Sequence, residues 1–468
     1  MGLEIEVINK AKISEPQKMI VSDYLNYHEM LSYVGYFNLI KKVDLVLAPS
    51  SELSLFIGNC EFCNVDYVFN YLLGQTSMKT KLSESIFAGG KGLTLYKAIA
   101  SALGEAFERL IACFDYFNQL DGLIYGTYQE LSAQGYYLMH PNKFKLFSED
   151  QLKDGNFLFD DFKENTPVGW LKMKEIRTEK DILLPACLIS MYYQAQTKEE
   201  GRIGYATSGG LTSHFSENFG KTHGLTEIIE RHEINLSWYD KIAPKKIILD
   251  DLEDPVLKSL RDYIDNKGIS FYLHNVDQHN FFAVTAMSFD KDVTKYSFNT
   301  GGGISEDIED AVLEALVEYA QSVNNTRKIT YAPEWLTSKF SNSVLDVNID
   351  DDPKNFKTFY QAVSYYGLKE NQSKLDWYVK NNDEINLLEI KKSAPKMSIE
   401  DYINKFNLNP VYMDLKQADQ FKYIFISKVY MTEFSPAFIG GVPALGHPSF
   451  KKYLKTGTQV NDSILPFP

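Results

Sequence analysis

Three stretches of the sequence carry polar side chains at intervals of four and then three residues. The sets are Ser101, Glu105 and Glu108; His223, Glu227 and Glu230; and Glu314, Glu318 and Gln321. On a helix this spacing places each set on one face. Carboxylates in an apolar neighbourhood repel one another and need a counter-charge, which a divalent cation supplies. The spacing therefore predicts a metal or nucleotide site between helices, and Mg²⁺ with a nucleotide would suit it.

Each polar set follows a glycine-rich stretch, at residues 88–92, 208–210 and 301–303. These stretches are interpreted as tight turns at the entry to helices over 94–120, 216–240 and 305–324. The first two helices are apolar over much of their circumference, which is typical of interior helices. The sequence therefore predicts three repeated units, each a turn followed by a helix that carries carboxylates.

The bulk composition is that of an ordinary globular protein. The chain has 468 residues, 44% of them hydrophobic and 24% charged, with a net charge of −14. This acidity disfavours a protein that binds nucleic acid through its phosphates. No apolar run is long enough to cross a bilayer, and no signal peptide is found at the start. Four cysteines are too few for a disulfide scaffold, so we expect a cytoplasmic location.

Two other patterns are set aside. Gly220-Lys221-Thr222 matches the end of a P-loop, but Phe215 stands where the leading glycine would be. Cys60 and Cys63 form one pair, whereas a structural zinc site needs four ligands.

The three helical segments resemble the three ATP-site motifs of the YcaO family. The segment from Gly90 to Arg109 is similar to the first motif, Ser-x-x-x-Glu-x-x-Glu-Arg, and the segment from His223 to Arg231 is similar to the second. The segment over 311–321 is similar to the third, so the resemblance spans roughly 80–445. It implies an α+β core of mixed sheets and helices, with ATP and Mg²⁺ bound between helices and no P-loop.

The resemblance also implies which side chains line the site. The residues expected at the nucleotide are Ser101, Glu105, Glu108, Glu227, Glu230, Glu318, Gln321, Arg231 and Lys91. The residues expected to hold metal are Glu105, Glu108, Glu227, Glu230 and Glu318.

The family activates a peptide backbone amide. A nucleophile adds to the carbonyl carbon, the resulting oxyanion takes the γ-phosphoryl group of ATP, and phosphate then leaves. With a Cys, Ser or Thr side chain of a ribosomally made precursor peptide as nucleophile, the product is a thiazoline or an oxazoline. External sulfide would give a thioamide instead, and an amine an amidine. A non-catalytic YcaO-like subunit is a further alternative, because Phe215, Phe219 and Val323 replace polar residues of the family motifs.

Two features favour the azoline-forming branch. Ser213-His214-Phe215 resembles a small-His-Phe element of those members, which makes His214 a candidate catalytic residue. Pro466-Phe467-Pro468 resembles their proline-rich C-terminus, which enters the active site. Pro468, with its terminal carboxylate, is the second catalytic candidate, although Ile464 interrupts a full Pro-x-Pro-x-Pro pattern.

The resemblance suggests three regions and several partners. We expect an N-terminal segment over 1–80 with a possible docking role, a catalytic core over 81–445, and a tail over 446–468 that reaches the active site. The expected partners are a precursor peptide, an E1-like protein that binds its leader, and an FMN-dependent dehydrogenase. A homodimer is also possible.

Overall fold

The computed structural model describes most of the chain. It covers residues 28–36, 38–47, 53, 55–65, 88–276, 281–290, 297–330, 347–356, 359–380, 382–393, 397–415, 424–438, 441–454 and 459–467. Helices pack against separate, largely antiparallel sheets, which confirms the expected α+β fold. No helix in these ranges has the length and apolar character needed to span a membrane.

The strands form three sheets. The first has the order β1 (Ile40–Leu47), β2 (Phe56–Phe62), β3 (Gly89–Gly92). The second has the order β4 (Ile124–Gly126), β5 (Val168–Glu175), β13 (Val411–Asp414), β14 (Phe425–Tyr430), β7 (Leu211–His214), with β6 (Asp181–Pro185) also paired to β5. The third has the order β11 (Phe298–Ser305), β10 (Phe282–Phe289), β9 (Ser270–His274), β8 (Lys245–Ile248), β12 (Glu384–Asn386).

The helices differ widely in length. The long ones are α1 (Leu95–Asp121), α5 (Glu217–Tyr239), α6 (Pro255–Lys267) and α7 (Ile308–Thr330). The shorter ones are α2 (Tyr128–Ala133), α3 (Glu149–Lys153), α4 (Ala186–Ile189), α8 (Phe359–Gly367), α9 (Lys369–Gln372), α10 (Asp376–Val379), α11 (Leu387–Ser393) and α12 (Ile399–Lys405). Single 3-10 turns lie at Pro141–Phe144, Pro353–Asn355 and Ser373–Leu375.

The predicted repeat is present, but its units begin with strands rather than turns. The units are β3–α1, β7–α5 and β11–α7, and each of these strands lies at one edge of its sheet. The prediction of tight turns at 88–92 and 301–303 is therefore wrong, because these residues lie mostly within β3 and β11. The prediction holds for the second unit, where Gly210 takes a φ of +74° in the turn before β7.

Glycine is needed in these strands because they lie directly on their helices. A Cβ at Gly90 would lie 2.0 Å from the backbone nitrogen of Ala102 in α1. A Cβ at Gly301 would lie 2.0 Å from the backbone nitrogen of Tyr319 in α7. Because these glycines have no side chains, the strand backbone can approach the helix face closely enough to form hydrogen bonds with its side chains.

The described part of residues 1–80 is joined to the first unit. Strand β2 pairs antiparallel with β3, and Gly58 of β2 lies against Ala102 of α1. The expected boundary at residue 80 falls outside the described residues. The docking role expected for this segment stays a prediction.

We expect Gly301→Ala to destabilise the fold. The new methyl group would collide with helix backbone, which has no rotamer to adjust, so the free energy of unfolding should fall by about 3 kcal/mol. Gly155→Ala is the matched control, since a Cβ there meets nothing within 4 Å. Urea unfolding of both variants measures the difference, and equal midpoints would contradict the close strand–helix packing.

Candidate functional site

One hydrogen bond recurs in all three units. The backbone N–H of a glycine in or next to the strand donates to the middle glutamate of the helical set. The distances are 3.1 Å from Gly89 to Glu105, 3.0 Å from Gly210 to Glu227 and 3.3 Å from Gly302 to Glu318. Each carboxylate is therefore held in place by its own unit.

A second group of contacts joins each strand to the helix of another unit. The N–H of Ser213 in β7 donates to Glu108 of α1 at 2.8 Å. Lys91 of β3 forms an ion pair with Glu318 of α7 at 3.3 Å. A Cβ at Gly302 of β11 would lie 2.4 Å from a carboxylate oxygen of Glu230 in α5. The three units thus close into a ring, and the glutamates are gathered where the units meet.

Glu230 is one of two acids in this ring whose pKa is strongly raised. Its side chain is only 7% exposed, and its Oε1 has no hydrogen-bond partner among the described residues. Burial raises its pKa to about 8; nearby Arg231 opposes the shift, and Glu318 and Glu227 add to it. An unpaired buried carboxyl oxygen is costly, so this atom is suited to accept a ligand.

Glu108 is perturbed in a similar way. Burial is the main cause that raises its pKa to about 8, while Arg109 lowers it and the carboxylates Glu105 and Glu227 raise it further. Acids from different units therefore repel one another electrostatically across the ring. This confirms the sequence-based expectation that these glutamates lie in one neighbourhood.

Basic side chains compensate part of this negative charge. Arg109 pairs with Glu105 at 3.2 Å along α1. Arg231 follows Glu230 on α5 and lies close enough to Glu230, Glu318 and Glu227 to interact with all three charges. Lys91 is about a quarter exposed in its pair with Glu318.

Lys428 was not predicted from the sequence. It is 4% exposed, and its ammonium group donates to the carbonyls of Thr207 and Gly209 at 2.7 and 2.6 Å. These bonds fix the turn that places Gly210 against Glu227. Burial lowers the pKa of Lys428 to about 8. Together with Arg231 it lines a cavity of about 40 Å³. A lysine within the largely apolar strand β14 was the signal that could have identified it.

The donor chemistry of the ring fits Mg²⁺, which prefers carboxylate oxygens. Within the described ranges, no three His, Cys, Asp or Glu side chains already surround a single metal position. Four acids of the expected metal set, Glu105, Glu108, Glu227 and Glu318, instead accept backbone N–H groups. The pKa values of Glu108 and Glu230 are raised, so a cation would favour their ionised forms.

The remaining expected nucleotide residues lie around the same ring. Ser101 is exposed on α1, one turn before Glu105. The side-chain amide of Gln321 would lie 3.8 Å from a Cβ at Gly89, so this part of α7 faces β3. Their roles stay predictions.

His214 ends strand β7, next to Ser213. Its Nδ1 accepts a hydrogen bond from the backbone N–H of Ser216 at 3.0 Å. Burial, followed by the nearby His223, lowers its pKa, so the ring is neutral near pH 7. Its ring lies 5.5 Å from that of Phe219, which is 67% exposed. Of the other residues that depart from the motifs, Phe215 is partly buried and Val323 is in the core.

The tail is packed against the protein. Ile464 and Phe467 are 4% and 3% exposed and belong to one apolar cluster with Trp238, Tyr366 and Tyr378. Pro468 lies outside the described residues, so its catalytic role stays a prediction.

The raised pKa values predict how stability depends on pH. The pKa of Glu230 rises from an ordinary 4.5 to about 8 on folding. Between these pH values the folded protein therefore keeps a proton that the unfolded chain releases. Stability should therefore fall as the pH rises between these values. In buffer with a chelator, Glu230→Gln should raise the melting temperature at pH 8 and change it little at pH 5.

Glu199→Gln, at an exposed carboxyl, is the control for this experiment. Its melting temperature should follow that of the wild type at every pH. If Glu230→Gln did the same, the buried carboxyl would not be the cause of the pH dependence.

Known proteins resemble this chain in sequence and in fold. The family model for YcaO cyclodehydratases, described as ATP- and Mg²⁺-binding, matches residues 89–397, which is well over half of the chain. No curated protein matches the sequence.

Several solved structures share the fold. A heterocyclase in complex with substrate and cofactor aligns with a TM-score of 0.67 at 15% identity, over 94% of this chain and 57% of its own. YcaO from Methanopyrus kandleri, bound with AMPPCP and Mg²⁺, aligns with a TM-score of 0.55 at 15% identity, over 89% of this chain and 90% of its own. A chain of the Escherichia coli microcin synthetase McbBCD complex aligns with a TM-score of 0.60 at 16% identity, over 92% of this chain and 97% of its own.

The chain thus spans little more than half the length of that heterocyclase. At such low identities the structural matches show a shared fold. The family match adds the cofactors, ATP and Mg²⁺, that the three motifs implied. The chain belongs to the YcaO cyclodehydratase family.

Proposed function

We propose that the protein is an ATP- and Mg²⁺-dependent cyclodehydratase that phosphorylates a peptide backbone amide. The observation that carries this proposal is the ring of glutamates. Three of its carboxylates are fixed by glycine N–H groups, and the buried Oε1 of Glu230 has no hydrogen-bond partner in the part of the chain that the structure describes. Such a ring is built to bind positive charge.

The side chains divide into two roles in this proposal. Glu105, Glu108, Glu227 and Glu318 are held by backbone N–H groups. Glu108 and Glu230, whose pKa values are raised, would bind Mg²⁺ in their ionised forms. The groups assigned to the nucleotide phosphates and base are Ser101, Gln321, Arg231 and Lys91. Lys91 is suited to a phosphate because its partner, Glu318, is also a proposed metal ligand.

The chemistry follows from the leaving group. An amide oxygen leaves poorly, whereas phosphate leaves well. A Cys, Ser or Thr side chain gives up its proton to a base and adds to the amide carbon, which closes the five-membered ring. The oxygen that gains the electron pair then displaces ADP from the γ-phosphorus. Loss of phosphate and of the amide proton finally forms the C=N bond of the azoline. Phosphoryl transfer depends mainly on positioning and charge neutralisation, which Mg²⁺ held by carboxylates supplies.

We propose that the substrate is a ribosomally made precursor peptide and that partner subunits take part. One structural neighbour is a complex, microcin synthetase McbBCD, which is also known with pro-MccB17 bound. By analogy, an E1-like partner would bind the leader of the peptide and an FMN dehydrogenase would oxidise the product. The supply of ATP places such an enzyme in the cytoplasm.

Two other functions use the same fold. Attack by sulfide or by an amine would give a thioamide or an amidine, and the mass change of the peptide distinguishes these from loss of water. A non-catalytic binding subunit is favoured by one observation: exposed Phe219 and buried Val323 supply no ligand at two motif positions.

Glu227→Gln and Glu318→Gln test the enzymatic proposal. Glutamine keeps an oxygen that can accept the glycine N–H but removes the charge, so the fold should survive. We expect affinity for ATP with Mg²⁺ to fall at least about tenfold, as for loss of a charge-assisted contact. Calorimetry measures the affinity, and mass spectrometry of a precursor peptide, with the partner subunits present, measures loss of water.

Glu306→Gln, at an exposed position just before α7, is the matched control and should bind and turn over like the wild type. No binding of ATP with Mg²⁺ by the wild-type complex would reject the enzymatic proposal. Binding without any mass change would favour the non-catalytic subunit.

A further inference from the structure

The segment over 459–467 is held by two buried side-chain donors. The indole N–H of Trp238 donates to the carbonyl of Ser463 at 2.9 Å, and the hydroxyl of Tyr366 donates to the carbonyl of Ile464 at 2.7 Å. Trp238 is fully buried, and Tyr366 is 1% exposed. The segment belongs to no sheet, so side chains rather than strand partners set its position.

Further bonds bring the same segment to the end of α5. The backbone N–H of Asn461 donates to the carbonyl of Tyr239 at 2.8 Å. Its side-chain amide donates to the carbonyl of Trp238 at 3.2 Å. Asp240, which caps α5, accepts the N–H groups of Lys451 and Tyr453 at 2.7 and 3.1 Å. The C-terminal end of α5 is therefore the anchor of the chain after residue 450.

The same helix carries two glutamates of the ring. Trp238 follows Glu230 by eight residues, which is about 12 Å along an α-helix. A displacement of Trp238 at the C-terminal end of α5 would therefore be transmitted along the helix to Glu227 and Glu230.

A second connection runs through the third sheet. The ring of Phe467 lies 6.3 Å from that of His274 and 5.5 Å from that of Tyr378. His274 is hydrogen-bonded to the hydroxyl of Thr285 at 2.9 Å, and Thr285 is paired across the sheet with Gly302. The N–H of Gly302 donates to Glu318, and its Cα faces Glu230, since a Cβ there would lie 2.4 Å from a carboxylate oxygen of Glu230. The buried end of the segment is therefore two side chains away from the ring.

We propose that Trp238 and Tyr366 are positioning residues, whose hydrogen bonds fix the segment over 459–467 and thereby set the arrangement of Glu230 and Gly302. Packing alone does not explain Tyr366, since phenylalanine would fill nearly the same space. Phenylalanine is smaller than Trp238, so a loss of the same volume at the neighbouring Trp377 is the matched comparison. The Tyr366 hydroxyl satisfies the carbonyl of buried Ile464, and the Trp238 indole holds the carbonyl of Ser463, whose side chain is exposed. Without these two bonds the segment would be held less firmly at its site. The effect on activity rests on the proposed function, whereas the effect on the segment does not.

The test compares matched aromatic substitutions. Trp238→Phe and Tyr366→Phe each remove one donor to the segment. Trp377→Phe and Tyr365→Phe are the controls: Trp377 packs on Trp238 at 5.2 Å, and Tyr365 packs on Tyr366 at 5.4 Å. In the described residues, neither control has a hydrogen bond to the segment, and the Tyr365 hydroxyl instead accepts from Lys374.

Amide hydrogen exchange is the first measurement. We expect exchange in 459–467 to become at least about fivefold faster in Trp238→Phe and Tyr366→Phe, as for loss of a buried hydrogen bond, and unchanged in the controls. Equal exchange in all four variants would overturn the proposal.

The second measurement is the Mg²⁺ concentration that gives half-maximal turnover in the full complex. It should rise at least about threefold in the two test variants, and Trp238→Phe should add nothing in a chain that lacks residues 459–468, which include the Ser463 carbonyl that Trp238 binds. Faster exchange with an unchanged Mg²⁺ requirement would overturn the coupling to the ring. A wild-type complex without ATP-dependent turnover would reject the proposed function, and the exchange comparison would then decide the positioning role alone.

Discussion

The site depends on the contact between strand backbone and helix backbone. Gly90 and Gly301 have no side chain to separate β3 from α1 or β11 from α7. Because of this close approach, N–H groups of Gly89 and Gly302 reach glutamates on the helices. Fixed carboxylates are then available at the face where the units meet. With larger residues in these strands, the same glutamates would be mobile groups on the surface of a helix.

The charge balance of the ring follows from that geometry. Five glutamates lie around it, and the basic residues Arg109, Arg231 and Lys91 compensate only part of their charge. Burial, and in addition the neighbouring carboxylates, raises the pKa values of Glu108 and Glu230. A divalent cation would release those protons, so its binding should be coupled to pH.

The positions of the glutamates could be predicted from the sequence, whereas the strand–helix contacts that hold them could not. Helical spacing identified the glutamates, because i, i+4, i+7 positions share a face whatever surrounds the helix. The same glycines were interpreted as turns, since a glycine cluster before a helix is typical of a turn, and only contact with α1 and α7 shows why strands need them. Lys428 was missed because its role depends on Thr207 and Gly209, which are distant in sequence. The packing of the tail likewise depends on Trp238 and Tyr366, to which no local pattern points.

The closure of the three units has a consequence for folding. Lys91 in the first unit contacts Glu318 in the last, and the turn before the second is fixed by Lys428 from near the end of the chain. Contacts between such distant residues form late, because the entropic cost of closing the intervening loops must be met first. During synthesis on the ribosome, α1 emerges long before α5 and α7, so Glu108 has not yet met its partner Ser213 in β7. The ability to bind a nucleotide should therefore arise in one late step, after α7 and β14 have been made.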